Sequence, residues 1–448
     1  MKIVVVGGVA AGTSAAARAR RVNPEAEIIL FEKDKNISYA GCGLPYYISG
    51  VTPERSQLIM NTPEEFREKY EVEVKISHEV TAIHPENKSI EYEDLVHDRI
   101  GQEKYDKLIL ATGAKPLTPP IPGINLERVL PLRTLQDGDR IKRMTGHQNV
   151  KKAVIVGGGY IGLEMAEAFD KLGMDISLIE MREQVMPLVN AELADKIESH
   201  LQDRGVKLYT GEAVKEFVGD GIVSGVVTDK DRLIQADLVL FAIGVRPVTE
   251  LAAQAGIELG LRNAIRVNHR METSLRDVYA CGDCAQSINL VSGRPVWVPL
   301  GSTANKQGRV AGTNAAGGSD SHFGILATAI TKVFDLTIAT TGIKEEESEK
   351  ADFDPVSVKV NVPNHAGYYP GFKNFVLRGI FDRNSGRLLG AEALGKSGVN
   401  KRIDVLASAI YSELTAEDLF QLDLSYAPPY STPKDAVSIL GMVAGKKI

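Results

Sequence analysis

The stretch Ala153-Val154-Ile155-Val156-Gly157-Gly158-Gly159-Tyr160-Ile161-Gly162, running on through Leu163 to Lys171 and then Ile176 to Glu180, reads as strand, glycine turn, helix and strand ending in an acid. Each part has a physical reason. Gly157 makes the tight turn, Gly159 admits a ligand close to the backbone, and Gly162 lets the helix pack on the strand. The helix N-terminus offers unbonded N–H groups to a pyrophosphate, and the carboxylate of Glu180 accepts from a ribose hydroxyl.

A second copy opens the chain. Ile3 to Val6 leads into Gly7-Gly8-Val9-Ala10-Ala11-Gly12, an Ala/Arg helix containing Arg18 to Val22, and a strand, Ile28 to Phe31, ending at Glu32. Val9 stands where a middle glycine is expected. One such motif is weak, because glycine turns are common punctuation, but two complete units about 150 residues apart imply two nucleotide sites. They predict an α/β fold with two Rossmann-like dinucleotide-binding domains. Leu108 to Gly113 and Leu238 to Gly244 are apolar strands ending in glycine, where the chain crosses between domains close to a ligand. Thr273 to Asp283 puts an acid at a strand end before a helix, and Pro116 to Pro122 (PLTPPIP) is a stiff connector.

A chain of 448 residues, 44% hydrophobic and 25% charged, exceeds one ordinary core, so two or three domains are expected. After about Phe323 alternating strands appear, Ser357 to Val362, Phe375 to Phe381 and Leu388 to Leu394, followed by a helix, Lys401 to Ser412, and the tail YAPPYSTP. This predicts a third, α+β domain. The expected boundaries are 1–112 with 243–322 for the first nucleotide domain, 113–242 for the second and 323–448 for the third. The opening residues share features with a secretory signal, but they run on into a helix and a second strand and are read as the first strand of a domain. No apolar run reaches the ~18 residues of a membrane helix. A formal charge of −6 argues against a general nucleic-acid binder, and three cysteines are too few for a disulfide framework, which predicts a cytoplasmic protein.

Those cysteines divide into two cases. Cys42 lies in a glycine-flanked loop at the expected start of a helix, Leu44 to Ser49, where the helix dipole lowers a thiol pKa; a reactive thiolate and a small buried cysteine are equally open. Cys281 and Cys284 form a C-x-x-C that invites a dithiol or zinc reading, but no second pair completes a zinc site. The eight histidines show neither HExxH nor ligand spacing, so no metal is expected.

With these motifs in place, the chain resembles the flavoprotein pyridine nucleotide-disulfide reductases over its whole length, and in detail the coenzyme A disulfide reductase group. The detail rests on Ser38-Tyr-Ala-Gly-Cys42-Gly-Leu-Pro-Tyr-Tyr, Ala304-Asn-Lys-Gln-Gly-Arg309, His365-Ala-Gly-Tyr-Tyr-Pro-Gly371, Gly395-Lys396 to Asp404 and Tyr426-Ala-Pro-Pro-Tyr-Ser431. The resemblance implies FAD in the first nucleotide site, held by Gly7, Gly12, Glu32, Lys33, Thr112, Gly113 and Asp283. It implies NADH, with NADPH as the second option, in a site built from Gly157, Gly159, Gly162, Glu180 and Gly244. Gly282-Asp283, between the two C-x-x-C cysteines, matches the family's second flavin motif and displaces the dithiol reading. The third domain is expected to form a homodimer, with Tyr368 and Tyr426 reaching the site around Cys42 from the partner subunit, while His365 beside them is read as structural. Coenzyme A phosphates would be gathered by Arg18, Arg21, Lys306, Arg309 and Lys434, beside Ser14, Ser38 and Asn305.

Two departures sharpen the expectation. Many disulfide reductases carry a second cysteine five positions on, where this chain has Tyr47, so no internal disulfide forms at Cys42. Related peroxide and oxygen reductases place a histidine where this chain has Ala10. The expected activity is therefore an NADH-linked reductase of coenzyme A disulfide, or of its per- or polysulfide, through a mixed disulfide on Cys42. The alternatives are an NADH oxidase or peroxidase working through a sulfenic acid, a polysulfide or persulfide reductase, and a flavin electron carrier serving a protein partner.

Overall fold

Ile3, Val4 and Val5 are wholly buried, as a strand covered on both faces must be, and the computed structural model, which describes all 448 residues, places them at the centre of a parallel sheet. Its order is Val278–Ala280, Lys107–Leu110, Lys2–Val6, Glu27–Glu32, Glu73–Ile76. Helix Ala10–Val22 makes the first crossover. The second unit repeats the plan around Lys152–Val156, flanked by Asp175–Glu180 and Leu238–Phe241, with Lys207–Thr210 and Val129–Pro131 at the edges. The chain leaves the first sheet after Leu110 and returns to it at Val278, which pairs with Leu108. Both passages run side by side as the antiparallel pair Ala114–Pro116 and Val245–Pro247.

The third region is an antiparallel five-stranded sheet, ordered Ala329–Val333, Leu336–Gly342, Leu388–Gly395, Asn374–Asp382, Pro355–Pro363. Strand Pro355–Pro363 buries every second residue, Val356, Val358, Val360 and Val362, on the face covered by helix Ala436–Ala444. Buried Glu167, on helix Tyr160–Lys171, joins this region to the second unit: Lys332 Nζ donates to it at 2.7 Å and the Phe334 N–H at 2.8 Å.

The expected strand and helix positions agree with these to within a few residues, with one correction. Asp283 is followed by no long helix, only by the three-residue turn Gly282–Cys284, and the next helix is Gly301–Ala315. That helix lies along Ala10–Val22 in close contact. A Cβ on Gly308 would stand 2.3 Å from the carbonyl oxygen of Ala11, and one on Gly312 2.2 Å from that of Ala15, so only glycine allows this approach. No helix is long and apolar enough to cross a membrane.

Candidate functional site

The two glycine turns are built alike. Gly7 and Gly157 have φ of +104° and +108°, a region L side chains rarely adopt. A Cβ on Gly12 would fall 1.7 Å from the Gly7 oxygen, and one on Gly162 1.9 Å from the Gly157 oxygen. The Gly8 N–H donates to Glu32 Oε2 at 2.6 Å and the Asp34 N–H to Oε1 at 2.9 Å. In the second unit Gly158 and Arg182 make the same two bonds to Glu180, at 2.7 and 2.9 Å. Burial pushes the Glu32 carboxyl up, and the two backbone donors oppose it. Helices Ala10–Val22 and Tyr160–Lys171 start with no side-chain cap. Uncapped N–H groups behind a glycine turn are what a pyrophosphate needs, so the residues present fit two dinucleotides.

At the crossovers, Thr112 Oγ1 donates to the Val248 oxygen at 2.6 Å, and Gly113 and Gly244 take φ of +72° and +116°. Lys33 is exposed, with Glu79 4.0 Å away. Asp283 is held by Arg133, whose Nη2 donates to Oδ2 at 2.7 Å, and its backbone oxygen accepts from Trp297 Nε1 at 2.9 Å. Neither Arg133 nor Trp297 was expected.

Cys42 is exposed, in the turn Gly41–Gly43 ahead of helix Leu44–Ile48. Here the expected dipole effect is corrected. One side of the thiol is open to solvent, but the protein around its other sides partly desolvates it, and the charges of Glu164 and Asp283 add to that, so its pKa is pushed up despite the opposing Arg133 guanidinium. A five-residue helix is too short to outweigh them. Glu164, whose carboxyl burial also pushes up, accepts from Thr331 Oγ1 at 2.8 Å. It shares with Tyr46 a polar cavity of about 490 Å³. Cys281 and Cys284 are fully buried, both thiols pushed up by desolvation, with Cys284 Sγ donating to the Cys281 oxygen at 3.3 Å.

A second cavity, of about 370 Å³, brings together Ser14, Arg18, Arg21, Ser38, Asn305 and Arg309 from three separate segments. No carboxylate is among its lining residues. Asn305 Nδ2 donates to Ser14 Oγ at 2.9 Å, and Asn61 Nδ2 to Ser38 Oγ at 3.1 Å. Val9 and Ala10 form part of the wall, so the departure from glycine at position 9 faces this cavity. Lys306 and Lys434 do not line it; both are exposed. Asn61, Phe66 and Tyr70 do, and were not expected. Arg21 lies 5.6 Å over the Tyr70 ring, which gives the cavity an aromatic and cationic end.

Tyr368 and Tyr426 stand on the third region, 78% and 47% exposed, among the exposed rings of Tyr369, Phe372 and Tyr430. The neighbouring Tyr368 side chain raises the pKa of Tyr426. His365 is buried, edge-on to Tyr369 with ring centroids 5.6 Å apart.

Residues 1–308 match the pyridine nucleotide-disulphide oxidoreductase family, and residues 328–437 match that family's dimerisation domain. A coenzyme A disulfide reductase of Staphylococcus haemolyticus is 37% identical, covering 99% of each chain. An NADH oxidase of Methanocaldococcus jannaschii is 34% identical, covering 100% of this chain and 99% of its own. The structure of an NAD-dependent persulfide reductase from A. fulgidus superposes with a TM-score of 0.97 at 38% identity, over 100% of this chain and 83% of that one.

Proposed function

The chain belongs to the pyridine nucleotide-disulphide oxidoreductase family, and we propose that within it the reaction is NADH-linked, FAD-dependent reduction of coenzyme A disulfide, or of a coenzyme A per- or polysulfide, at Cys42. One observation carries the choice of substrate. Ser14, Arg18, Arg21, Ser38, Asn305 and Arg309 converge on one cavity with no carboxylate in its wall, an electrostatic match for a phosphorylated thiol, and Ser38 is four residues from Cys42. Arg18 and Arg309 on facing helices would grip phosphate, and Tyr70 with Arg21 would take the purine. Lys306 and Lys434 belong to this reading only at the rim or from the partner subunit.

FAD would be held by the Gly7 to Gly12 turn, Glu32, Thr112, Gly113, Arg133 and Asp283, and NADH by the Gly157 to Gly162 turn, Glu180 and Gly244. When bound, FAD supplies the two-electron chemistry, taking hydride from the nicotinamide and passing the pair to sulfur. Cys42 does the rest. As thiolate it attacks one sulfur of the coenzyme A disulfide; the S–S bond breaks, one coenzyme A thiolate leaves, and Cys42 and the other coenzyme A share a new disulfide. Reduction of that bond returns thiolate Cys42 and the second coenzyme A. One protein cysteine suffices because the substrate brings the other sulfur. Tyr426 and Tyr368 of the partner subunit would protonate the departing thiolate, a role open to a phenol, which holds its proton at neutral pH and donates through its O–H.

The domain boundaries given above go with this reading, supported by the return of Val278–Ala280 to the first sheet and the paired crossovers. The direct test is the intact mass of the purified chain. It should carry one coenzyme A that dithiothreitol removes and that the Cys42→Ser chain lacks. An unmodified Cys42 that also takes up no coenzyme A from added coenzyme A disulfide would overturn the assignment.

A further inference from the structure

Arg402, on helix Val399–Tyr411, is 2% exposed, and its partners Asp435 and Ser431 are equally buried. Taking a guanidinium and a carboxylate out of water is costly unless each donor and lone pair finds a partner. Here they do. Nη2 donates to Asp435 Oδ2 at 2.8 Å and Nε to Oδ1 at 3.3 Å, a two-pronged pairing, and Ser431 Oγ donates to the same Oδ2 at 2.6 Å. Nη2 also lies 3.1 Å from the Asn364 oxygen and 3.4 Å from that of Tyr430. The neighbouring Lys401 Nζ reaches the Ser425 oxygen at 3.5 Å and Asp435 Oδ2 at 3.7 Å.

Those backbone acceptors have a pattern. Asn364 opens the loop that carries Tyr368, while Ser425 and Tyr430 bracket the loop that carries Tyr426. The two loops are tied to each other as well, the Ala366 N–H donating to the Pro428 oxygen at 3.2 Å. Tyr368 and Tyr426 themselves are exposed, with no core packing to lock their rings, so where they stand is set by the backbone of their two loops. Two exposed phenols keep a fixed spacing only when the backbone beneath both is held. The buried ion pair holds it.

We propose that Arg402 and Asp435 form a positioning clamp that sets the spacing of Tyr368 and Tyr426, and thereby the protonation of the leaving thiolate. The proposal rests on the role given to the two tyrosines under the proposed function. Arg402 touches no substrate; it acts through the loops.

The test uses the full-length, FAD-loaded enzyme in four forms: unchanged, Arg402→Lys, Tyr368→Phe/Tyr426→Phe, and the triple variant. Lysine keeps the charge but cannot reach both loops and both carboxylate oxygens at once. Arg402→Lys should lower kcat for coenzyme A disulfide roughly ten- to a hundredfold, as misplaced catalytic groups do. The stopped-flow rate of flavin reduction by NADH should stay within twofold, roughly the error of such a comparison. The triple variant should be no slower than the tyrosine pair variant, because a clamp with nothing to position has no effect. An equal loss from Arg402→Lys on both backgrounds would show a purely structural ion pair and overturn the clamp, as would an unchanged kcat. Normal turnover by the tyrosine pair variant would overturn the tyrosine assignment itself, and the clamp with it. If Arg402→Lys does not assemble, Ser431→Ala, which removes one hydroxyl from the network, should give a smaller loss with the same dependence on the tyrosines. No loss, or one independent of them, would count against the clamp.

Discussion

Asn305 Nδ2 donates to Ser14 Oγ at 2.9 Å across an interface between helices whose residues are 291 positions apart in the chain. The bond exists because Gly308 and Gly312 let the two backbones close up against Ala11 and Ala15. It also brings Arg309 to the wall that carries Arg18. The coenzyme A recognition proposed above is thus built on helix packing, and it should fail when the packing does.

Gly312→Val puts a branched side chain where a carbonyl oxygen already stands 2.2 Å away from the first added atom. The helices must part, at about 1–3 kcal/mol of overpacking strain. The urea midpoint should fall, and KM for coenzyme A disulfide should rise more than KM for NADH, since the second nucleotide unit is untouched. Equal changes in both KM values would show that the helix contact does not shape the thiol cavity.

The carboxylate of Glu180 is already fixed by two backbone donors and is not free to swing away from a 2′-phosphate. NADH should therefore exceed NADPH in kcat/KM by about tenfold or more, because like charges held together cost several kcal/mol. Glu180→Gln should narrow the ratio. Arg182, two residues on, is the group that would reverse the preference; an equal or higher kcat/KM with NADPH in the unchanged enzyme would do so.

Much of this was legible in the sequence, for reasons that can be stated residue by residue. Gly7, Gly12, Gly157 and Gly162 show themselves because a positive φ or a carbonyl within 2 Å leaves no other residue type. Glu32 and Glu180 follow from strand length and spacing. Arg133 did not show, because its meeting with Asp283 spans 150 positions and leaves no periodic trace. Asn61, Phe66 and Tyr70 were missed for the same reason: the chain carries them into the cavity on the way to strand Glu73–Ile76, which pairs beside Glu27–Glu32. The local sequence points to a lowered pKa for Cys42, whereas desolvation by the folded chain, and after it the charge of Glu164 from the other nucleotide unit, push it up.

That charge makes a pH prediction. A thiol with a raised pKa has less thiolate at neutral pH, so alkylation of Cys42 should rise with pH through a midpoint above the ordinary thiol value. Cys281 and Cys284 are fully buried and should not interfere. Glu164→Gln removes a charge that raises the pKa and should move the midpoint down; Arg133→Met removes the cation that lowers it and should move it up. The measurement is iodoacetamide labelling by mass, on enzyme stripped of coenzyme A. A midpoint indifferent to Glu164 would remove that residue from the electrostatics of the site.

If Tyr368 and Tyr426 work across the subunit boundary, two broken chains can mend each other. Mixed dimers of Cys42→Ser and Tyr426→Phe chains hold one site with both groups intact and should recover activity, up to about half of normal if one good site works alone. Exchange of chains is verified by native mass. No recovery in verified mixed dimers would mean that the site lies within one chain or that Tyr426 is dispensable.

The ranking of oxidants separates the proposed reaction from its nearest rival. Thiolate attack on a disulfide needs a leaving thiolate and one proton, which the tyrosines can supply at the sulfur. Peroxide or oxygen must be carried to water, a step helped by an acid and base beside the thiol, and the residue at the position where related enzymes carry histidine is Ala10, an exposed methyl in the cavity wall. Coenzyme A disulfide or a coenzyme A polysulfide should therefore be turned over with the higher kcat/KM. The difference from hydrogen peroxide should be about a hundredfold or more, the usual contribution of a positioned acid or base. Ala10→His should raise the peroxide activity while narrowing the phosphate-binding cavity, so that KM for coenzyme A disulfide rises at the same time. Cys42→Ser should abolish both reactions and leave flavin reduction by NADH intact. Faster turnover of peroxide or oxygen than of any coenzyme A disulfide or polysulfide would move the chain to the oxidase and peroxidase branch, with Cys42 still its working group but the arginine-lined cavity left without a substrate.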